Sequence, residues 1–265
     1  MRQGPSRLIS FIAIAAMVFL VAPTLVVVPI SFGDGGQMEF PPARWSLELY
    51  RQYFTGAEWI DSTTNSLIIA IGSTLLTLAV ATPAAFALAR GRGFFPRFAR
   101  TMIVMPMLVP TIVVALGLYI YLVPMRLTGT ITGLILAHSV HNLPFAALMI
   151  LAGIKEINPN LETAVQVLGA RPLTVFWKVT VPLSMRAIIS AGLFCFLLSF
   201  DEVVLSWFLT SPRTMTLPIK MYSSIQFEIS PVLAAVSTLL LVLTLSICLI
   251  SIFLQKGRQS SAPHA

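Results

Sequence analysis

Leu161-Glu162-Thr163-Ala164-Val165-Gln166-Val167-Leu168-Gly169-Ala170-Arg171-Pro172, running on through 173–180 to Val181-Pro182-Leu183, is a polar, helix-forming segment set between two long apolar runs. Gly169 can take the backbone angle that ends one helix, and Pro172 suits the first turn of the next. The expectation is two short helices joined by a sharp bend. Small residues (Ala164, Gly169, Ala170) permit close approach by another protein, while Glu162, Arg171 and Lys178 offer charges for orientation. Such a segment has the form of a docking element.

The runs on either side belong to a chain that is 57% hydrophobic and only 10% charged over 265 residues. Soluble domains carry about a quarter charged residues, so this is read as an all-α integral membrane protein. Its 18 prolines and 15 glycines fit that reading, because neighbouring membrane helices re-satisfy the backbone groups that proline frees. A crossing needs about 20 apolar helical residues. Six stretches qualify: 8–32, 65–89, 101–123, 131–152, 187–209 and 232–254. The first continues past Pro23 to Ile30 without a small-x-small site, longer than a signal-peptide core, so it is expected to remain as a span.

Loop charges set the expected orientation. Tails 1–7 and 255–265 hold Arg2, Arg7, Lys256 and Arg258; the second-to-third connection holds Arg90, Arg92, Arg97 and Arg100; the loop 153–186 holds Lys155, Arg171, Lys178 and Arg186. Six spans put all of these on one side, which the positive-inside rule makes cytoplasmic, together with both termini. The net charge of +7 therefore argues for topology and not for nucleic acid. An external loop, 33–64, carries Pro41-Pro42, Trp45, Trp59 and several tyrosines, and reads as an interfacial helix with aromatic anchors; residues 257–265 read as disordered.

Asp201 and Glu202 are carboxylates inside the fifth apolar run, where each charge costs about 2.5–3.5 kcal/mol on insertion scales. They must face protein or water. Either they line a translocation path or gate for a cationic solute, or they pair with neighbouring helices. His138 and His141 sit three apart on one face of the fourth span with no third ligand nearby, so hydrogen bonding between helices is expected in place of a metal site. Pro83, Pro106, Pro110 and Pro144 read as kinks, and Cys195 and Cys248, both within apolar runs, as unbridged thiols. No Gly-x-x-x-x-Gly-Lys-Ser/Thr phosphate loop occurs, nor a Gly-x-Ser-x-Gly elbow or His-Glu-x-x-His helix. No catalytic residue and no cofactor is assigned, and energy, if used, must come from a partner.

The loop 153–186 resembles the cytoplasmic "EAA" loop of ABC-transporter permease subunits, whose pattern is Glu-Ala-Ala, three residues, Gly, nine residues, Ile, one residue, Leu-Pro. With Gly169 as the glycine, the alanines fall on Ala164 and Val165, the isoleucine on Val179 and the last pair on Val181-Pro182. The glutamate position is Thr163, with Glu162 just before it. The similarity extends along the chain through Pro41-Pro42, Trp45-Ser46-Leu47 and Tyr50, Asn65-Ser66-Leu67, Ser199-Phe200-Asp201-Glu202-Val203-Val204, and Leu217-Pro218-Ile219-Lys220-Met221-Tyr222-Ser223. Together these resemble the second permease of binding-protein-dependent (type I) importers of the spermidine/putrescine class. What the resemblance implies is a MetI-like bundle, with a five-helix core (65–254) after an N-terminal span, in a bacterial inner membrane. It also implies two ATPase copies on the cytoplasmic loops, a second homologous permease, an extracytoplasmic solute-binding protein and a polyamine-like solute. The coupling residues carried over are Glu162, Thr163, Ala164, Gly169, Ala170, Val179 and Pro182. A different reading of Asp201, Glu202, His138 and His141 is a proton relay in an ion-gradient-driven carrier, against which stands the lack of an inverted repeat.

Overall fold

The structure, a computed structural model, describes residues 7–36, 38–91, 93–227 and 230–256. Arg2, Arg92, Glu228, Arg258 and the tail expected to be disordered lie outside them. Every regular element among the described residues is helical: α1 (Arg7–Ile30), α2 (Glu48–Thr55), α3 (Ala57–Arg90), α4 (Phe94–Val104), α5 (Thr111–Leu122) and α6 (Ile131–Lys155). There follow α7 (Pro159–Val167), α8 (Pro172–Val175), α9 (Val181–Phe200), α10 (Val204–Leu209), α11 (Leu217–Phe227) and α12 (Val232–Lys256). Five stretches are long and apolar enough to cross a membrane, or six if the bent pair 94–108 and 111–122 forms one crossing.

The chain forms two compact units. One contains the described residues up to Ile60 with Met221–Leu245. Within it, the apolar side chains of α1 from Phe11 to Leu25 are exposed, as suits a helix whose solvent is lipid. Beyond α1, Phe32 packs against Trp45 and Tyr50 with ring centroids 6.3 and 5.5 Å away, and Ser31 Oγ lies 2.8 Å from the Tyr50 hydroxyl. The expected external helix is α2, which buries Leu49 and Tyr53.

The second unit, Asp61–Lys220 with the described residues from Ser246, holds the main core. Ala81 and Ala85 of α3 meet Ala146, Ala147, Ile150, Leu151 and Ile154 of α6 and Ala191 and Cys195 of α9. Small side chains let membrane helices approach closely where lipid offers no hydrophobic gain. At Gly153 the approach is closest, since a Cβ there would run into the Ala187 side chain.

Two spans depart from the expected continuous rods. The stretch 101–123 is broken: α4 passes into a 3₁₀ turn, Met105–Leu108, and α5 leaves at 105°. Pro106 and Pro110, each without an N–H to donate, account for the break. The stretch 187–209 ends early, because α9 stops at Phe200 and α10 begins at Val204. The expected boundary between loop and span at Ala187 also disappears. Helix runs without interruption from Pro172 to Phe200, through a π turn at Phe176–Thr180. Pro182 sits just after that turn and cannot donate to the carbonyl four residues back, so the backbone widens there. By contrast Pro83 and Pro144 lie inside continuous helices.

Candidate functional site

α7 begins at Pro159, with the Asn158 side chain accepting from the Asn160 amide at 3.0 Å. It stops where expected. Gly169 has φ +90°, its N–H donates to Gln166 O at 2.9 Å, and the Ala170 N–H donates to Val165 O at 3.2 Å. This is the Schellman pattern of paired reverse bonds. Pro172 then opens α8, so the two-helix bend holds, with its second helix fused to α9.

Glu162, offered by the sequence as an orienting charge, faces inward instead. Its side chain is 7% exposed, and Arg90 at the end of α3 grips it through both oxygens: Nε donates to Oε2 at 2.7 Å and Nη2 to Oε1 at 3.0 Å. The Thr180 hydroxyl, fully buried in the π turn, donates to the same Oε1 at 2.9 Å. Arg90 Nη2 also reaches the carbonyls of Ile154, in the last turn of α6, at 3.4 Å and of Ile157, just beyond it, at 3.2 Å. A bidentate guanidinium–carboxylate pair is among the stronger and most directional polar contacts, and a cation suits a helix C-terminus.

The rest of the loop looks outward. Thr163, at the motif's glutamate position, donates its hydroxyl to Pro159 O at 3.2 Å and is exposed, as are Ala164, Gly169 and Pro182; Ala170 and Val179 are half-buried. Arg171 and Lys178 are exposed. Val167 and Leu168 are 82% and 86% exposed, and Leu161, Leu173 and Trp177 join them. Thus Glu162 is set apart from the other expected coupling residues. Arg90 and Thr180 are its partners, and sequence reasoning missed both: Arg90 registered only as a topology charge and Thr180 as a spacer.

At the other end of α9, Asp201 closes the helix and is exposed, while Glu202 Oε1 accepts the Leu205 N–H at 3.0 Å at the start of α10. Glu202 Oε2 lies 3.7 Å from His141 Nε2. His138 Nδ1 is 2.8 Å from Ser199 Oγ, which accepts from Ser73 at 2.9 Å, and Nε2 is 3.3 Å from Ser206 Oγ. His138 therefore links α6 to α9 and α10 by hydrogen bonds, and through Ser199 to α3, while His141 faces the Glu202 carboxylate between α9 and α10. Among the described residues no three His, Cys, Asp or Glu side chains converge as a metal site would need.

The bundle and its appended two-helix loop have known counterparts. Residues 81–259 match the family described as binding-protein-dependent transport system inner membrane component. The chain is 30% identical to the putrescine transport system permease protein PotI of Escherichia coli K12, over 90% of this chain and 86% of that one. It is 28% identical to the spermidine/putrescine transport system permease protein PotC of the same strain, over 87% of each. Similar solved chains come from a bacterial ABC transporter involved in import of the acidic polysaccharide alginate (TM-score 0.72, 16% identity, 96% of this chain and 99% of that one). Another is the alginate transporter in complex with an alginate pentasaccharide-bound periplasmic protein (TM-score 0.66, 15% identity, 97% and 96%). The chain belongs to the binding-protein-dependent inner membrane component family, as a multi-pass permease subunit of an ABC importer whose ATP hydrolysis resides on a separate subunit.

Proposed function

We propose that this permease docks its ATPase through the segment 153–186 and forms half of the translocation path for a small cationic solute of the polyamine kind. The observation that carries the docking reading is the exposed apolar face around the Gly169 bend, Val167 and Leu168 above all. On a cytoplasmic surface such a face has no lipid to cover it, and contiguous exposed apolar surface marks a protein contact. Thr163, Ala164, Gly169 and Ala170 provide close approach, and Val179 and Pro182 stand where the second helix joins α9. Glu162 acts from inside by holding the element in place.

The orientation follows the loop arginines and lysines, with both termini and the docking segment in the cytoplasm of a bacterial cell whose inner membrane holds the complex. Two ATPase copies, a second homologous permease and an extracytoplasmic binding protein complete the assembly. The names of the two Escherichia coli relatives and the carboxylates at the α9–α10 break support a cationic solute, with exposed Asp201 on the path and Glu202 at its gate. A supply of ATP from a partner makes an ion-gradient relay through the histidines unnecessary.

The test is uptake of labelled putrescine and spermidine by cells carrying the complete transporter. Asp201→Asn should lower uptake while the complex still assembles and hydrolyses ATP. Normal uptake by that variant would remove Asp201 from the path. Separately, Gly169→Val should abolish co-purification of the ATPase, and full association would remove the bend from the docking site.

A further inference from the structure

We propose that Arg90 is the positioning residue through which movement of the docking segment reaches α3 and α6. The idea rests on the reading of 153–186 as the ATPase contact. α8 runs covalently into α9, so a push on α8 needs no further link to reach that span. α7 has no such continuity with the core, being tied to α6 by the short connection 156–158. The non-covalent route is the Arg90 guanidinium. It holds Glu162 in the first turn of α7 through two nitrogens and touches the carbonyls of Ile154 in the last turn of α6 and Ile157 in the connection, and it is itself the last residue of α3. Thr180 closes the hub from the π turn.

One planar group thus joins the ends of the helices whose small residues form the core: Ala81 and Ala85 of α3, and Ala146 and Ala147 of α6. A guanidinium makes these bonds in a fixed plane, whereas a lysine ammonium is a point charge on a flexible stem. Loss of the fork leaves α7 held by its chain connections and the Thr180 bond to Glu162, with no bond to α3 or to the carbonyls of Ile154 and Ile157. Close-packed interfaces shift between discrete arrangements and do not deform continuously, so a rigid hub moves α3 and α6 with α7 or leaves them behind.

The experiment uses the complete complex in lipid nanodiscs, with Cys248→Ser to remove the exposed thiol and Thr132→Cys, exposed near the end of α6 remote from Lys155, as a reporter of maleimide labelling rate. In the parent complex, trapping the ATPase with ATP and vanadate is expected to change that rate. Arg90→Gln should keep the ATPase bound and hydrolysing while the nucleotide-dependent change is lost. Thr180→Val, which removes a buried bond from the same hub but leaves Arg90 joined to Glu162 and α6, should retain the change, separating transmission from stability. Arg90→Lys should assemble and show a reduced change, and it decides the matter if Arg90→Gln fails to assemble. A change of parental size in Arg90→Gln, or in Arg90→Lys where that variant decides, overturns the role of Arg90. A parent complex that does not bind the ATPase overturns the docking reading itself.

Discussion

The two ends of α9 treat their carboxylates in opposite ways. At the Thr180 end, Glu162 is buried and bound by three donors from two side chains, Arg90 and Thr180. At the Phe200 end, Asp201 is exposed and Glu202 has one backbone N–H and a histidine at 3.7 Å. A charge with all its partners fixed cannot bind cargo, but it can hold two elements in register. A charge at a helix break, with lone pairs to spare, can meet a passing cation. On the proposed function, the difference separates holding at one end of α9 from handling at the other.

The contrast can be broken first at the locked end. Glu162→Ala leaves the Arg90 guanidinium without its carboxylate in a site of which Glu162 itself is 7% exposed, and removal of one partner of a buried pair costs about 3–5 kcal/mol. Limited proteolysis of purified protein should then cut within 153–186, and a parental cleavage pattern would show that the pair does not hold the loop. Thr180→Val removes one charge-assisted bond, worth about 1.5–3 kcal/mol, and should lower the thermal midpoint in detergent by less than Glu162→Ala does. Equal losses would mean that Thr180 matters as much as Arg90.

At Gly169 the effect is smaller and local. A β-branched residue at φ +90° costs about 1–2 kcal/mol, which should fray the end of α7 and register as faster amide exchange at Leu168–Ala170. Smallest of all is the effect of Asp201→Asn on stability. Because Asp201 is exposed, its thermal midpoint should stay close to the parent while uptake falls, and a large drop in midpoint would make Asp201 a structural residue like Glu162.

Local chemistry made the bend between α7 and α8 legible, since Gly169 and Pro172 act on their own neighbours through backbone angles. The apolar spans were legible from length and composition for the same reason. What stayed hidden depends on contacts distant in sequence. Arg90 and Glu162 are 72 residues apart, and nothing near either one signals the other. The breaks at 105–110 and 201–203 were hidden differently. Prolines marked the first, but not the 105° angle at which α5, packed mainly against α10, leaves α4. At the second, the apolar run continues through Asp201 and Glu202 into Val203-Val204-Leu205, so hydropathy reads one helix where the backbone makes two. Interhelical hydrogen bonding was expected of both histidines, but the serine partners of His138 lie on other helices and carry no signal of their own, and His141 faces Glu202 instead.

The docking face itself admits the most direct measurement. A cysteine at Leu168, which is 86% exposed, is compared with one at Phe19, 78% exposed on α1, for cross-linking to the ATPase in membranes holding the whole transporter. Cross-linking from position 168 alone, with a yield that changes when nucleotide is added, is the predicted result. Equal yields from both positions, or none from 168, would contradict the claim that this bend is where the ATPase takes hold.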